Sequence, residues 1–73
     1  MNNYQNLIAT DYQVMLGKPV INGTRITVEL ILRKLAQGAS TIDLLKMYPE
    51  LELIQIEAAL AYAADLVSNE EYI

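Results

Sequence analysis

Three turn signals divide this 73-residue sequence into short segments: Asn22-Gly23, Gly38 and Pro49. Asn-Gly tolerates the positive φ angles that a type I′ hairpin turn requires, and glycine commonly ends a helix. Proline pushes the residue before it out of helical geometry. The sequence therefore predicts a small β-hairpin followed by three helices.

The hairpin is predicted over residues 20–26, because β-branched residues flank the Asn-Gly pair on both sides. Pro19 restricts the first strand to the edge or the beginning of a sheet. A two-stranded hairpin is only marginally stable alone in water, so this one needs a further contact. Three contacts remain open: the segment 7–9, the hairpin of a second subunit, or the helices.

The helices are predicted over residues 28–37, 41–48 and 53–67. Thr27 is expected to cap the first helix, and Ser40 with Asp43 resembles a capping box at the start of the second. We therefore expect a mainly α fold, a three-helix homeodomain-like helix-turn-helix preceded by a small β-hairpin. It forms one domain, with an extended start and hairpin over residues 1–27, a three-helix unit over 28–67 and a tail over 68–73.

The third helix is apolar on two neighbouring faces, which is more than a surface helix of one small domain needs. One stripe is expected to face the core: Ile56, Ala59, Leu60, Ala63 and Val67. The other is expected to contact a partner or a second copy of the chain: Ile54, Ala58, Tyr62 and Leu66.

The composition also favours association. A chain this short buries only about 60% of the surface that its unfolded form exposes. It contains neither Cys nor His, which excludes disulfides and removes the usual ligands of a structural metal. We therefore expect a homodimer or an obligate partner, and no metal or cofactor.

The net charge of −4 is unevenly distributed along the chain. Up to Lys46, five basic residues stand against three acidic ones, giving +2; from Met47 onward, six acidic residues and no basic one give −6. An acidic total is unusual for a general nucleic-acid binder, whose affinity comes mainly from neutralising phosphates. The acidic last third instead suits a basic partner.

No motif in the sequence predicts catalysis. Glu50 with Glu52, and Glu70 with Glu71, lie in a turn and a polar tail rather than in a pocket. A hydroxyl nucleophile would lack a His base, and there is no phosphate-cradling glycine loop. We therefore expect a protein that is not an enzyme and takes no small-molecule substrate.

No segment predicts export or contact with a membrane. The first fifteen residues contain no Lys or Arg and no apolar block, so no signal peptide is expected. The longest apolar run, residues 58–64, is far shorter than the roughly 18 residues of a spanning helix. The expected location is the cytoplasm.

Five residues are candidates for contact with DNA: Lys18, Asn22, Arg25, Arg33 and Lys34. Arg25 either binds phosphate or a nuclease site through its guanidinium fork, or ties the hairpin to its own chain. The other cations form either a phosphate-binding patch or an ordinary solvated face. The third helix has no basic residue to read base edges. The hairpin of a dimer is therefore the better candidate for the element that binds operator DNA.

The run GKPVINGTRITVELI, residues 17–31, is followed by Gly38, LLKMYPEL and IEAALAYAA, and this set resembles the DUF433 family over residues 9–67. The resemblance implies a homeodomain-like helix-turn-helix after a small β element. It also implies a VapB-type antitoxin that sequesters a PIN-like ribonuclease and, as a DNA-binding dimer, represses its own operon. The chain departs from the family in two places. Glu52 stands where Ser or Thr usually caps the third helix, and the third helix carries Glu57 and no Lys or Arg.

The leading hypothesis is a non-catalytic, antitoxin-like protein that binds and neutralises a PIN-like ribonuclease. A stand-alone helix-turn-helix regulator that binds DNA is the first alternative. A structural dimer module without nucleic-acid binding is the second.

Overall fold

The computed structural model describes the backbone of Tyr4 and residues 6–70, and the side chains up to residue 68. Two short strands and three helices follow in chain order: β1 (Ile8–Ala9), β2 (Val20–Ile21), α1 (Val28–Ala36), α2 (Thr41–Met47) and α3 (Leu53–Glu70). A single 3-10 turn, Met15–Gly17, lies between the strands. The described part of the chain is therefore mainly helical with a small antiparallel sheet, as predicted.

The sheet joins β2 to the N-terminal segment. Ile8 pairs with Ile21, and Ala9 pairs with Val20, in antiparallel register. The N–H of Asn22 extends the ladder by donating to the Leu7 carbonyl at 2.8 Å. Two of the three open contacts are thus present: β2 pairs with the segment 7–9, and Ile21 and Ile26 of the hairpin pack with the helices in the core.

The turn at Asn22-Gly23 is not the predicted type I′ turn. Gly23 has a φ of 84°, but Asn22 does not have a positive φ. A single positive angle, at the third residue of the turn, is typical of type II. The glycine was therefore predicted correctly as the residue that needs left-handed backbone, while the asparagine was not.

The hairpin loop is also longer than predicted. The N–H of Ile21 donates to the Ile26 carbonyl at 2.9 Å, which leaves four residues, 22–25, in the loop. The Thr24 hydroxyl explains this length, because it donates to the Ile21 carbonyl at 2.8 Å and accepts from the Ile26 N–H at 2.9 Å. The second arm of the hairpin is consequently reduced to a bridge between Val20 and Thr27.

Both predicted helix caps are confirmed. The Thr27 hydroxyl accepts a hydrogen bond from the Leu30 N–H at 2.9 Å at the start of α1. At the start of α2, the Ser40 hydroxyl accepts from the Asp43 N–H at 3.0 Å, and the Asp43 carboxylate accepts from the Ser40 N–H at 2.9 Å. This reciprocal pair is a complete capping box.

The third helix is longer than predicted, because α3 continues beyond Val67 to Glu70. The beginning of the predicted tail therefore belongs to the helix. Residues 71–73, the rest of that tail, lie outside the described residues.

The core lies where the three helices meet β2 and the end of the hairpin. Its buried members are Ile21, Ile26, Val28, Ile31, Leu44, Leu51, Ile56 and Ala59. Each large aliphatic residue among them contributes about 1.5–3 kcal/mol of transfer free energy. Every helix gives at least one residue to this core, so none of them is an independent appendage.

Candidate functional site

The surface of α3 is the most unusual feature of the described molecule. Ile56 and Ala59 are fully buried, which fixes the side of the helix that faces the core. Five large apolar residues of the same helix are nevertheless exposed: Leu53, Ile54, Leu60, Leu66 and Val67. The charged residues among the described side chains of α3 are Glu57 and Asp65, both acidic and both exposed.

The structure divides the four residues that were predicted to form an interface. Ile54 and Leu66 are about half exposed, at 56% and 49% of their surface. Ala58 is buried, and Tyr62 packs against the core. Ala58 and Tyr62 therefore serve the interior of this chain and offer no free surface comparable with that of Ile54 and Leu66.

The physical reason is that the N-terminal segment covers this side of α3. β1 packs against the helix, and the Tyr4 ring meets the Tyr62 ring edge to face with centroids 5.7 Å apart. Nothing in the sequence indicated this contact, which joins the N-terminal segment to α3.

The stripe of α3 that was predicted to face the core is only partly buried. Leu60 and Val67 are exposed, at 41% and 55% of their surface, although Ile56 and Ala59 of the same stripe are buried. Together with Leu53, Glu57 and Ala64, all exposed, they form a continuous row that we call the α3 stripe. Sequence reasoning missed this row, although its alternating spacing of four and three residues was visible in the sequence.

A second apolar feature, the α1–α3 groove, has a volume of about 400 Å³. It runs between α1 and the C-terminal half of α3 and is lined by Pro19, Val28, Glu29, Leu32, Arg33, Tyr62, Ala63 and Leu66. Leu66 thus lies on a different side of α3 from the α3 stripe. The groove is apolar at its centre and charged along the α1 edge.

Ion pairs occupy the charged edge of this groove. The Glu29 carboxylate is 3.0 Å from the Lys18 ammonium and 3.0 Å from the Arg33 guanidinium. The hydrogen bond from Lys18, and then that from Arg33, holds the pKa of Glu29 below its ordinary value. Because all three side chains are exposed, the pairs are weak, but they partly neutralise two of the five predicted DNA-contacting residues.

The remaining three candidates for DNA contact are distributed differently. Lys34 is half-buried on α1. Asn22 and Arg25 line a concavity of about 370 Å³ beside the hairpin loop, together with Asp11. The Asn22 amide donates to the Asn6 carbonyl at 3.1 Å, whereas Arg25 has no ion-pair partner within 4.0 Å among the described side chains. The structure therefore brings Lys18 and Arg33 together at Glu29 and places Asn22 and Arg25 together at the hairpin loop.

The start of α3 carries exposed acidic and apolar side chains and no Lys or Arg. The Gln55 side-chain oxygen accepts a hydrogen bond from the Glu52 N–H at 2.8 Å, so the amide is occupied at the helix terminus. Leu53, Ile54 and Glu57 are exposed around it. Acidic side chains repel phosphate, and the start of α3 has no Lys or Arg to offset that repulsion.

None of the described helices combines the length and the hydropathy that a membrane-spanning segment needs. No group of three or more acidic side chains within the described part of the chain is placed to hold a metal ion.

The fold and these surfaces define a small, mainly helical domain with a two-stranded sheet and an amphipathic, acidic last helix. Over residues 8–63 the sequence matches the family described as "Protein of unknown function (DUF433)". Because the match covers most of the chain, this protein belongs to the DUF433 family.

A solved structure supports the same assignment. The chain is similar to a DUF433 member protein from Anabaena variabilis ATCC 29413, whose crystal structure has a resolution of 2.00 Å, with 32% identity and a TM-score of 0.82. The similarity covers 89% of this chain but only 64% of the other, so the chain spans less than two thirds of that protein's length. No curated protein matches the sequence.

Proposed function

We propose that this protein is a non-catalytic, antitoxin-like interaction protein that binds and neutralises a PIN-like ribonuclease. The observation that carries the proposal is the exposed surface of α3, which combines large apolar residues with acidic charge and no basic residue. Contiguous exposed apolar surface on a small protein is a mark of an interaction site.

The charge of α3 suggests the kind of partner. A ribonuclease that grips RNA presents a positively charged groove. An acidic helix is electrostatically complementary to such a groove, and this favours encounter and selects against acidic partners. We propose a PIN-like ribonuclease because the resemblance to the DUF433 family implies an antitoxin of the VapB type. The same resemblance is the basis for proposing that the protein acts in the cytoplasm and represses its own operon as a homodimer.

The test is coexpression of the full chain with a PIN-like ribonuclease from the neighbouring gene. Wild-type protein should restore growth and copurify with the nuclease. The double variant Leu60→Lys/Val67→Lys should lose both properties, because it places two cations on the acidic helix. Ile42→Lys is the matched control, since Ile42 is an exposed aliphatic residue on α2 and is 63% exposed.

Two results would overturn the proposal. One is a wild-type chain that neither restores growth nor copurifies with the nuclease. The other is a double variant, shown by circular dichroism to be folded, that protects cells as well as the Ile42→Lys control.

The hairpin loop supports a second candidate function, which is DNA binding by a helix-turn-helix-type regulator. Arg25 is exposed and unpaired among the described side chains, and it stands beside the Asn22-Gly23 turn. In a dimer, two such loops would present a pair of guanidinium groups to phosphates or base edges. A gel-shift titration with the upstream DNA at two salt concentrations tests this: binding should weaken as salt rises and in Arg25→Ala, and absence of binding at low salt would remove the candidate.

A further inference from the structure

The α3 stripe has the spacing of a coiled-coil seam. Its five members, Leu53, Glu57, Leu60, Ala64 and Val67, are separated alternately by four and three residues. All five are exposed, and the row extends over about 21 Å of helix at about 1.5 Å per residue. A 3–4 repeat of this kind is the spacing by which one helix packs along another in a coiled coil.

The composition of the stripe describes the helix that would fit it. Leucines or valine occupy the positions equivalent to d of a heptad, at Leu53, Leu60 and Val67. Ala64 leaves space for a larger apolar side chain on the opposing helix. Glu57 places a carboxylate in the middle of an otherwise apolar line, where it requires a cation when the line is covered.

This chain is poorly suited to supply that cation itself. From residue 47 onward it contains no Lys or Arg. In a parallel pair of α3 helices the two Glu57 carboxylates would meet. In an antiparallel pair, with Leu60 against Ala64 of the second copy, each Glu57 would remain without a cation, and both helices would carry charge of the same sign.

We propose that the α3 stripe binds an amphipathic helix of another protein, with apolar residues at heptad spacing and a Lys or Arg opposite Glu57. This inference rests on the proposed function in one respect only: the helix is assigned to the ribonuclease. The seam and its charge requirement are properties of α3 alone.

The experiment uses the full chain and two synthetic helical peptides of about three heptads, both with Leu at the seam positions. One peptide carries Arg opposite Glu57, and the other carries Glu at the same position. By calorimetry, the wild-type chain should prefer the Arg peptide by roughly tenfold, and Glu57→Lys should reverse the preference. Leu60→Asp should abolish binding of both peptides, whereas the control Ile42→Asp should leave it unchanged.

Three outcomes would overturn the inference. They are failure to bind either peptide, equal affinity for both peptides in wild type and Glu57→Lys, and a wild-type dimer by analytical ultracentrifugation that Leu60→Asp dissociates. The last result would assign the stripe to a second copy.

The outcome is separable from that of the proposed function. If the ribonuclease copurifies equally with the wild type and with Glu57→Lys, the antitoxin-like function stands and the charge-paired seam does not. If the peptides discriminate as expected but no ribonuclease is captured, the seam stands and its helix belongs to a different protein.

Discussion

The Tyr4 hydroxyl donates a hydrogen bond to the Asp65 carboxylate at 2.8 Å, across 61 residues of sequence. This bond raises the pKa of the Tyr4 hydroxyl, because it stabilises the protonated form next to a negative charge. The Tyr4 ring also packs edge to face against the Tyr62 ring. Tyr4 therefore fastens the N-terminal segment to the C-terminal half of α3, on the side of the helix that does not carry the α3 stripe.

Removing the Tyr4 ring should destabilise the fold more than removing its hydroxyl. Tyr4→Phe loses the bond to Asp65 but keeps the edge-to-face contact, so its urea midpoint should fall slightly. Tyr4→Ala loses both contacts, so its urea midpoint should fall further than that of Tyr4→Phe. Tyr12→Ala is the control, because Tyr12 is 76% exposed. If Tyr4→Ala unfolds at the same urea concentration as Tyr12→Ala, the fastening role is wrong.

A second prediction concerns the cap of α3. The Gln55 side chain already accepts from the Glu52 N–H, which is one half of a capping box. Glu52 does not have the short hydroxyl that would complete it. Glu52→Ser should therefore stabilise the protein by roughly 0.5–1 kcal/mol, and Gln55→Leu should destabilise it by a similar amount.

Urea denaturation measures both changes in this cap. Glu50→Ser is the matched control, because it removes the same charge from the same turn without touching the helix terminus. Equal stability of Glu52→Ser and Glu50→Ser would show that the gain comes from charge rather than from the cap.

The helix caps were predictable from the sequence. Thr27, Ser40 and Asp43 cap their helices because a side-chain oxygen meets a backbone N–H three residues away, and this needs no tertiary context. The pairing of β2 with the segment 7–9 was one of three predicted options, because the hairpin needed some partner.

The candidate site was less predictable, since helical periodicity does not define which apolar side of a helix faces inward. Both sides of α3 fit a period of 3.6 residues. The rotation of α3 depends on tertiary contacts: Ile56 and Ala59 are buried in the core, Tyr4 packs against Tyr62, and Leu60 and Val67 are left exposed. The loop at Asn22-Gly23 differs from its prediction for a local reason, because the Thr24 hydroxyl bonds to the backbone of both Ile21 and Ile26 and lengthens the loop.

A third prediction concerns the backbone of the hairpin loop. Gly23 has a φ of 84°, and a Cβ at this position would meet no atom within 4 Å. The cost of Gly23→Ala is therefore conformational rather than steric, and we expect about 1 kcal/mol of destabilisation. Gly23→Asn should recover part of this loss, because asparagine tolerates the left-handed region better than alanine does. Thermal unfolding of the two variants tests the order, and an alanine variant as stable as the wild type would exclude the left-handed turn.

The fourth prediction is a pH dependence that originates in the capping box of α2. The hydrogen bond from the Ser40 backbone N–H, and then that involving the Ser40 side chain, lowers the pKa of Asp43. A carboxyl group with a lowered pKa stabilises the fold above its unfolded pKa, and this stabilisation is lost as the pH falls through the folded pKa. The difference in unfolding free energy between wild type and Asp43→Asn should thus be constant above about pH 5 and shrink towards about pH 3.

Salt provides the control for this pH dependence. Hydrogen bonds rather than distant charges are the main cause of the lowered Asp43 pKa. The difference in unfolding free energy between wild type and Asp43→Asn should therefore still decrease at low pH in about 1 M NaCl, where exposed charge pairs are screened. Urea unfolding of both proteins at several pH values and two salt concentrations measures it. A difference that stays constant with pH, or that disappears in high salt, would show that the Asp43 carboxylate does not cap α2 in solution.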